Sequence, residues 1–289
     1  MQRSLSDHFD EYQGEGYTVF DGFMPQERIG ATRRAIDSEF ENRFAREPDT
    51  SRTTISELLN HETLSPLLAP HVLDGTVLDF AEQAMGPFVQ LDSFEITGFP
   101  CRPKHEFNKV AHWHRDAFSY SEMWGDHPSN KNPRPHPYTA PTACNCLTYL
   151  QDMTPESGTL RVIPGSHLDF TIIPTDKHRE PHPRERCLSL KAGDMVFTHN
   201  EILHAGSVNT TKEIRYFISA YFQRIGLPHR DRFDHANIET IRKRARSTND
   251  RRVLRLFGED PLFTEREQRA WRAMIDEDKT ALGQRLQDM

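Results

Sequence analysis

The 289-residue sequence has few cysteines, no long apolar run and no surplus of positive charge. Its four cysteines, Cys101, Cys144, Cys146 and Cys187, form no C-x-x-C pair, which argues against a disulfide scaffold and against a thiolate zinc site. No stretch approaches the roughly 18 apolar residues that span a bilayer, and the N-terminus lacks the apolar core of a secretory signal. We therefore expect a cytoplasmic protein with no membrane partner.

The charge balance argues against nucleic acid as a partner. The formal net charge is -7, whereas phosphate binding draws on a surplus of Lys and Arg. The segment from Arg242 to Arg252 is locally basic, and we interpret it as a solvated helical face. A small molecule is the expected partner, with the chain acting as a monomer or a homodimer.

The pattern of secondary structure is mixed at first and then dominated by strands. A strand is predicted at 17–23, and helices at 25–40, 55–68 and 73–85. From Val89 onwards, short β-branched and aromatic runs alternate with turn residues, which is typical of an antiparallel sandwich or barrel. We expect a single domain over 1–289, with an inserted lid loop at 118–141 and a helical C-terminal extension at 233–289.

A metal-binding pattern follows the first of these β runs. His114 and Asp116 stand two residues apart in the sequence HWHRD. In an extended backbone, residues i and i+2 point to the same face, so one metal ion can bind both side chains. One further histidine would complete the set of two imidazoles and one carboxylate that leaves Fe(II) with open coordination positions.

The segment LHAGSVNTTKEIRYF offers that histidine together with an anion-binding residue. If Val208 and Glu213 flank a four-residue turn, an antiparallel hairpin places His204 opposite Phe217. His204 and Arg215 are then diagonal neighbours, roughly 7 to 8 Å apart. This separation suits a small dicarboxylate that binds the metal with one end and the planar guanidinium with the other.

Taken together, these motifs resemble the phytanoyl-CoA dioxygenase superfamily of Fe(II)- and 2-oxoglutarate-dependent oxygenases. The resemblance also includes GTLRVIPGSH at 158–167, KAGDMVFTHNEILHAGS at 191–207 and GYTVFDGFM near the N-terminus, so it covers about residues 15–226. It implies an α+β protein of mostly β structure. The implied core is a double-stranded β-helix, which is jelly-roll and cupin-like, with N-terminal and other flanking helices.

The resemblance assigns roles to individual residues. His114, Asp116 and His204 match the family's iron ligands, and Arg215 matches the residue that binds the C5 carboxylate of 2-oxoglutarate. Fe(II) is the implied cofactor, while 2-oxoglutarate and O2 are the implied co-substrates. The carboxylate of Asp116 argues against halogenation, because halogenating relatives carry a small residue at that position.

Further residues are candidates for binding the co-substrate or the substrate. Thr148, on the predicted strand CNCLTYL, lies where the family places a hydroxyl for 2-oxoglutarate, and Asn108 or Lys109 could bind the C1 carboxylate. Four aromatic residues in or beside the lid loop are candidates for lining the substrate pocket: Phe118, Tyr120, Trp124 and Tyr138.

The implied reaction oxidises an unactivated C–H bond of a small molecule, by hydroxylation or another oxidation, with release of succinate and carbon dioxide. A lid rich in aromatic, His and Pro residues is compatible with a natural-product intermediate as substrate. Two other functions stay open. One is a metal-binding cupin-like protein with a non-oxidative role, as a hydrolase or isomerase, and the other is a non-catalytic binding protein.

Overall fold

The computed structural model describes residues 3–116, 140–169, 171–224 and 228–259, which form two antiparallel sheets with helices packed against the larger one. The helices are α1 (Leu5–Glu15), α2 (Gln26–Arg46), α3 (Leu64–Val72), α4 (Gly75–Met85), α5 (Ala236–Ser247) and α6 (Arg251–Leu256). The strands are β1 (Tyr17–Phe20), β2 (Thr53–Ile55), β3 (Val89–Phe99), β4 (Ala143–Tyr149), β5 (Leu160–Val162), β6 (Arg186–Cys187), β7 (Met195–His199), β8 (His204–Gly206) and β9 (Arg215–Arg224).

Local sequence signals set both ends of helix α1. The Ser4 side chain accepts a hydrogen bond from the backbone N–H of Asp7, and the Asp7 carboxylate accepts one from the backbone N–H of Ser4. Gly16 ends the helix with a φ of 82°, in the left-handed region that favours glycine. A Cβ at Gly16 would lie only 2.6 Å from Nδ1 of His167. The chain therefore turns tightly at Gly16 and enters β1 at once.

The larger sheet has six strands in the order β1-β7-β4-β9-β3-β2. Because side chains alternate along a strand, one face of this sheet packs against the helices and the other faces the smaller sheet. Cys144, Cys146, Ile218 and Phe222 belong to the core shared with α1 to α4. The outer face is thus covered with apolar packing, while the inner face is free to build a site.

The smaller sheet has three strands in the order β6-β5-β8. Leu160 and Val162 of β5 pack against Leu147, Tyr149 and Val196 on the inner face of the larger sheet. Two antiparallel sheets packed face to face, with helices on the outer side, form a jelly-roll core. The predicted fold class, an α+β protein of mostly β structure with flanking helices, is confirmed.

The predicted hairpin between β8 and β9 is wrong. β8 pairs with β5, whereas β9 pairs with β3 and β4, so these consecutive strands lie in different sheets. Asn209 holds the connection, because its Nδ2 donates to the carbonyl oxygens of Phe99 at 3.1 Å and of Glu213 at 2.8 Å. A tight hairpin would keep both strands in one sheet, whereas a jelly roll requires the chain to cross between sheets here.

The predicted helices at 25–40 and 73–85 match α2 and α4. The helix predicted at 55–68 is wrong in its first half, where β2 ends and a 3-10 turn, Leu58–Asn60, precedes α3. Helices α5 and α6 lie in the predicted C-terminal extension. Residues 260–289 and the lid loop up to residue 139 lie outside the described residues.

Arginines of the basic segment 242–252 are engaged with carboxylates. Arg246 pairs with Glu239 and Glu259, and Arg252 pairs with Asp79 on α4 at 2.7 Å. The Arg252 pair links α6 to α4, and all three pairs reduce the positive charge available to a polyanion. Within the described ranges no helix is both long and apolar enough to cross a membrane.

Candidate metal and co-substrate site

Three side chains from two distant parts of the chain meet between the sheets. Residues 114 and 204 form an isolated β-bridge, in which each backbone N–H donates to the other carbonyl at 3.0 Å. Oδ1 of Asp116 lies 3.8 Å from Nε2 of His114 and 3.6 Å from Nε2 of His204. One potential ligand atom from each residue lies within 4.8 Å of the others. A single divalent ion can therefore contact all three.

Both imidazoles are oriented to present Nε2 to a metal. Nδ1 of His114 lies 2.9 Å from the carbonyl oxygen of His112, and Nδ1 of His204 lies 3.1 Å from that of Ile202. A carbonyl oxygen can only accept, so each Nδ1 carries the proton and donates, which leaves a lone pair on each Nε2. Such a hydrogen bond fixes the ring orientation of metal-binding histidines.

The electrostatic environment keeps His114 neutral. Loss of water around the ring lowers the pKa of His114 to about 4, and the neighbouring His204 also lowers it, against a smaller opposing effect of Asp116. The two imidazole ring centroids lie 4.3 Å apart. At pH 7 the site therefore offers a neutral imidazole, which is the form that binds metals. Two imidazoles and one carboxylate are the donor set of non-haem Fe(II) oxygenases.

Asn145 on β4 positions the carboxylate of the triad. Its Nδ2 donates to Oδ2 of Asp116 at 3.2 Å, and its Oδ1 accepts from Oγ of Ser219 at 2.7 Å. The hydrogen bond leaves Oδ1 of Asp116, the oxygen nearest to both histidines, directed towards the metal position. Sequence reasoning missed Asn145. The available signal was a polar amide in the mostly apolar run CNCLTYL, which also contains Thr148.

We expect Asn145→Ala to weaken Fe(II) binding roughly 10- to 100-fold, as is usual when the hydrogen-bond partner of a metal ligand is lost. The three ligands themselves are retained in this variant, so binding should weaken and not disappear. Anaerobic calorimetric titration of the metal-free protein with Fe(II) measures the change. An affinity equal to that of the wild type would contradict the positioning role.

Arg215 supplies a buried positive charge at the start of β9. Its Nη1 donates to the carbonyl oxygens of Gly158 and of Ser207, the latter at 2.9 Å, and its guanidinium carbon lies 4.0 Å from the ring centroid of Phe99. Its Nε is buried without a hydrogen-bond partner. Burial lowers the pKa of Arg215 to about 10, which leaves the group charged at pH 7. Among the described residues no carboxylate pairs with it, so the site fits a carboxylate-bearing ligand.

Two glycines leave room around this guanidinium. Gly206 lies two residues beyond His204 on the same face of β8, and a Cβ there would stand 3.4 Å from Nη2 of Arg215. A Cβ at Gly158 would stand 2.8 Å from Nη1 of Arg215. Arg215 therefore reaches the strand that carries His204. Arg215 and His204 are brought together by the packing of two sheets. The strand pairing that the sequence predicted does not occur.

Thr148 does not face this site, and its predicted role in co-substrate binding is wrong. Its Oγ1 lies 3.1 Å from Nε2 of His71 on α3, within the helix-covered side of the larger sheet. Residues three apart on a strand point to opposite faces. The strand that presents Asn145 to Asp116 therefore directs Thr148 away from the metal position.

We expect Thr148→Val to lower the free energy of unfolding by about 1 to 3 kcal/mol, because Nε2 of the buried His71 loses its partner. The affinity for 2-oxoglutarate should stay at the wild-type value, since Thr148 contacts the helix layer. Urea unfolding and 2-oxoglutarate titration of the same preparation give both numbers. A large loss of co-substrate affinity with unchanged stability would restore the predicted role.

Asn108 is also directed away from the metal position. Its Oδ1 accepts a hydrogen bond from Arg161, which alternates with the inward-facing Leu160 and Val162 on β5 and so lies on the outward face of the smaller sheet. The prediction that Asn108 binds the C1 carboxylate is therefore wrong. Lys109 is exposed, and its assignment stays a prediction. Four predicted substrate residues lie outside the described residues: Phe118, Tyr120, Trp124 and Tyr138.

Comparison with known proteins gives the family. The model of the phytanoyl-CoA dioxygenase (PhyH) family matches residues 12–217. Dioxygenase hkm4 of Aspergillus hancockii is 26% identical over 226 residues, which are 71% of this chain and 66% of that protein. Dioxygenase easH of Epichloe festucae var. lolii is 32% identical over 102 residues, which are 35% of this chain and 48% of that protein. The chain thus spans less than two thirds of the length of these curated relatives.

Solved structures share the fold. HygX from Streptomyces hygroscopicus, in complex with nickel, 2-oxoglutarate and hygromycin B, superposes with a TM-score of 0.58 at 14% identity, covering 79% of this chain and 91% of that chain. The epimerase SnoN, in complex with Fe3+, alpha-ketoglutarate and nogalamycin RO, gives 0.52 at 20% identity, covering 76% of this chain and 83% of that chain.

The fold and the set of two imidazoles and one carboxylate are those of non-haem Fe(II)- and 2-oxoglutarate-dependent oxygenases. The chain belongs to the phytanoyl-CoA dioxygenase family. The matched region, 12–217, agrees closely with the predicted 15–226. The predicted family is confirmed, and the predicted iron and 2-oxoglutarate match the groups bound in SnoN.

Proposed function

We propose that this enzyme oxidises an unactivated C–H bond of a small natural-product intermediate, using Fe(II) at His114, Asp116 and His204 and 2-oxoglutarate at Arg215. The main support is the arrangement of the metal ligands and of Arg215. Three potential metal ligands converge within 4.8 Å, and a buried guanidinium that lacks a carboxylate partner among the described residues reaches the strand of the distal histidine.

Different residues would bind the metal and the co-substrate. Fe(II), when bound, would supply the activation of O2 that is coupled to decarboxylation of 2-oxoglutarate to succinate and carbon dioxide. The two histidines and Asp116 would hold the ion through three positions and leave the others open. Arg215 would hold the C5 carboxylate with charge-assisted hydrogen bonds. Apolar inner-face residues, including Leu147 and Val162, would keep water from the space between the sheets.

The substrate class is supported by relatives with the same fold. HygX was crystallised with hygromycin B, and SnoN with nogalamycin RO. A domain of this fold can therefore hold such a molecule together with the metal and the co-substrate, and the polar part of the inner face near Asn145 and Ser219 is suited to it.

Oxygen uptake and succinate formation test the proposed chemistry directly. The Fe(II)-loaded protein should consume O2 and form succinate from 2-oxoglutarate slowly without substrate, and faster when a substrate from a natural-product collection is added. Zn(II)-loaded protein should do neither. Hydrolysis or isomerisation by the Zn(II) form, with no oxygen uptake by the Fe(II) form, would favour the non-oxidative alternative.

A further inference from the structure

The inner face of the larger sheet carries polar side chains beyond the metal position. Residues 215, 219 and 221 of β9 share this face, and positions 219 and 221 lie about 14 and 20 Å along the strand from Arg215. The register places Glu95 opposite Ser219 and Ser93 opposite Tyr221. We call Ser93, Glu95, Ser219 and Tyr221 the far-end patch.

The far-end patch adjoins the carboxylate ligand. Asn145, which donates to Asp116 at 3.2 Å, lies opposite Tyr221 in the register of β4 and β9. It also accepts from Oγ of Ser219 at 2.7 Å. Along β9 the order is therefore Arg215, then the residues beside the metal position, then Tyr221. A co-substrate that extends from the metal towards Arg215 leaves the far-end patch to the substrate.

Tyr221 offers an unused hydroxyl at this position. The residue is 5% exposed, and its hydroxyl is buried without a hydrogen-bond partner. A buried hydroxyl without a partner is costly, so it is expected to meet a ligand. Burial raises the pKa of Tyr221, with Asp116 as a further cause, so the group stays a neutral phenol. The guanidinium carbon of Arg230 lies 4.7 Å from the ring centroid of Tyr221, and Arg230 donates a hydrogen bond to the carboxylate of Asp92.

Glu95 adds a negative charge that the metal centre does not balance. Within the described residues it forms no ion pair, and burial raises the pKa of its carboxyl against the opposing effects of Arg230 and Arg52. A cation bound beside the carboxyl would favour its ionised form. The positive charges of Fe(II) and Arg215 would be neutralised by the negative charges of Asp116 and of a 2-oxoglutarate dianion. The carboxylate of Glu95 is then surplus negative charge on the substrate side, and a cationic ligand would compensate it.

We propose that the far-end patch binds a protonated amine of the substrate. The ammonium group would donate to the carboxylate of Glu95 and to the hydroxyl oxygen of Tyr221, which are diagonal neighbours on adjacent strands. This inference rests on the proposed function and narrows it to amine-bearing substrates. It makes Glu95 and Tyr221 specificity-determining residues.

Proton relaxation of small probes tests the proposal on the full chain loaded with Mn(II) and 2-oxoglutarate, because Mn(II) relaxes protons that lie close to it. Cyclohexylammonium, cyclohexanol and cyclohexanecarboxylate share one ring and differ in the group that Glu95 would meet. Cyclohexylammonium should show the strongest relaxation, exceeding that of cyclohexanol roughly 10-fold, as expected for a charge-assisted contact. Cyclohexanecarboxylate should show the weakest.

Variants assign the effect to the patch. Glu95→Gln should remove the advantage of cyclohexylammonium over cyclohexanol, and Tyr221→Phe should reduce it. Asp79→Asn, which removes a negative charge on helix α4, should leave it unchanged. Equal relaxation of the three probes, including none for any of them, or an undiminished preference in Glu95→Gln, would overturn the proposal. Missing relaxation of the 2-oxoglutarate protons in the wild type would instead overturn the proposed metal and co-substrate site.

Discussion

His204→Ala is expected to abolish tight Fe(II) binding and to lower 2-oxoglutarate turnover by on the order of 1,000-fold or more, in line with the several kcal/mol that a catalytic metal contributes. The side chain is 6% exposed and presents its Nε2 3.6 Å from the carboxylate of Asp116. Its removal leaves one imidazole and one carboxylate, which is too few protein ligands for this type of site. Fe(II) titration and succinate formation measure the two effects.

His112→Ala is the matched control for this variant. His112 is an exposed histidine near the same site, and only its backbone carbonyl is bound to the ring of His114. The substitution keeps that carbonyl, so Fe(II) affinity should stay within a few-fold of wild type. If both histidine variants bind Fe(II) equally well, the ligand assignment of His204 fails.

Arg215→Ala is expected to weaken 2-oxoglutarate binding about 100-fold or more, because loss of one partner of a buried, hydrogen-bonded charge pair costs about 2 to 5 kcal/mol. Fe(II) affinity should change little, since Arg215 contacts the carbonyl oxygens of Gly158 and Ser207 and none of the metal ligands. Titration of the metal-loaded variant with 2-oxoglutarate measures the loss.

Two further substitutions separate charge from geometry at this position. Arg215→Lys keeps the charge but removes the planar pair of donors, so it should recover only part of the affinity. Lys212→Ala removes an exposed charge from the connection before β9 and should have no effect. Equal 2-oxoglutarate affinity in Arg215→Ala and the wild type would exclude Arg215 as the carboxylate-binding residue.

Local spacing was enough to predict that His114 and Asp116 lie on one face, whereas the prediction of His204 depended on the family resemblance. Two side chains two apart on extended backbone must share a face, whatever the rest of the fold. The same alternation rule corrects the prediction for Thr148, because only one of Asn145 and Thr148 can face the metal. The sequence alone does not say which face of β4 is covered by helices, since both residues lie among apolar neighbours.

Sequence patterns could not predict which strands pair within one sheet and which pack across the two sheets. The segment between His204 and Arg215 has the turn residues of a hairpin, yet it crosses from one sheet to the other. Whether a polar connection closes a hairpin or bridges two sheets depends on tertiary packing far from it. Helix α1 was missed for a different reason. Only His8 and Tyr12 are fully buried, and Leu5 and Phe9 pack against the core as partly buried side chains. The apolar face is therefore narrow, although Ser4 and Asp7 provide a capping box.

Anaerobic titration of the Fe(II)-loaded protein with 2-oxoglutarate tests the central claim most directly, because chelation of the metal by the co-substrate produces a weak visible charge-transfer band. We expect this band in the wild type, its absence in His204→Ala, and its appearance only at much higher 2-oxoglutarate concentration in Arg215→Ala. A folded, iron-bound wild-type protein that forms no band at any 2-oxoglutarate concentration would contradict the assignment of the site.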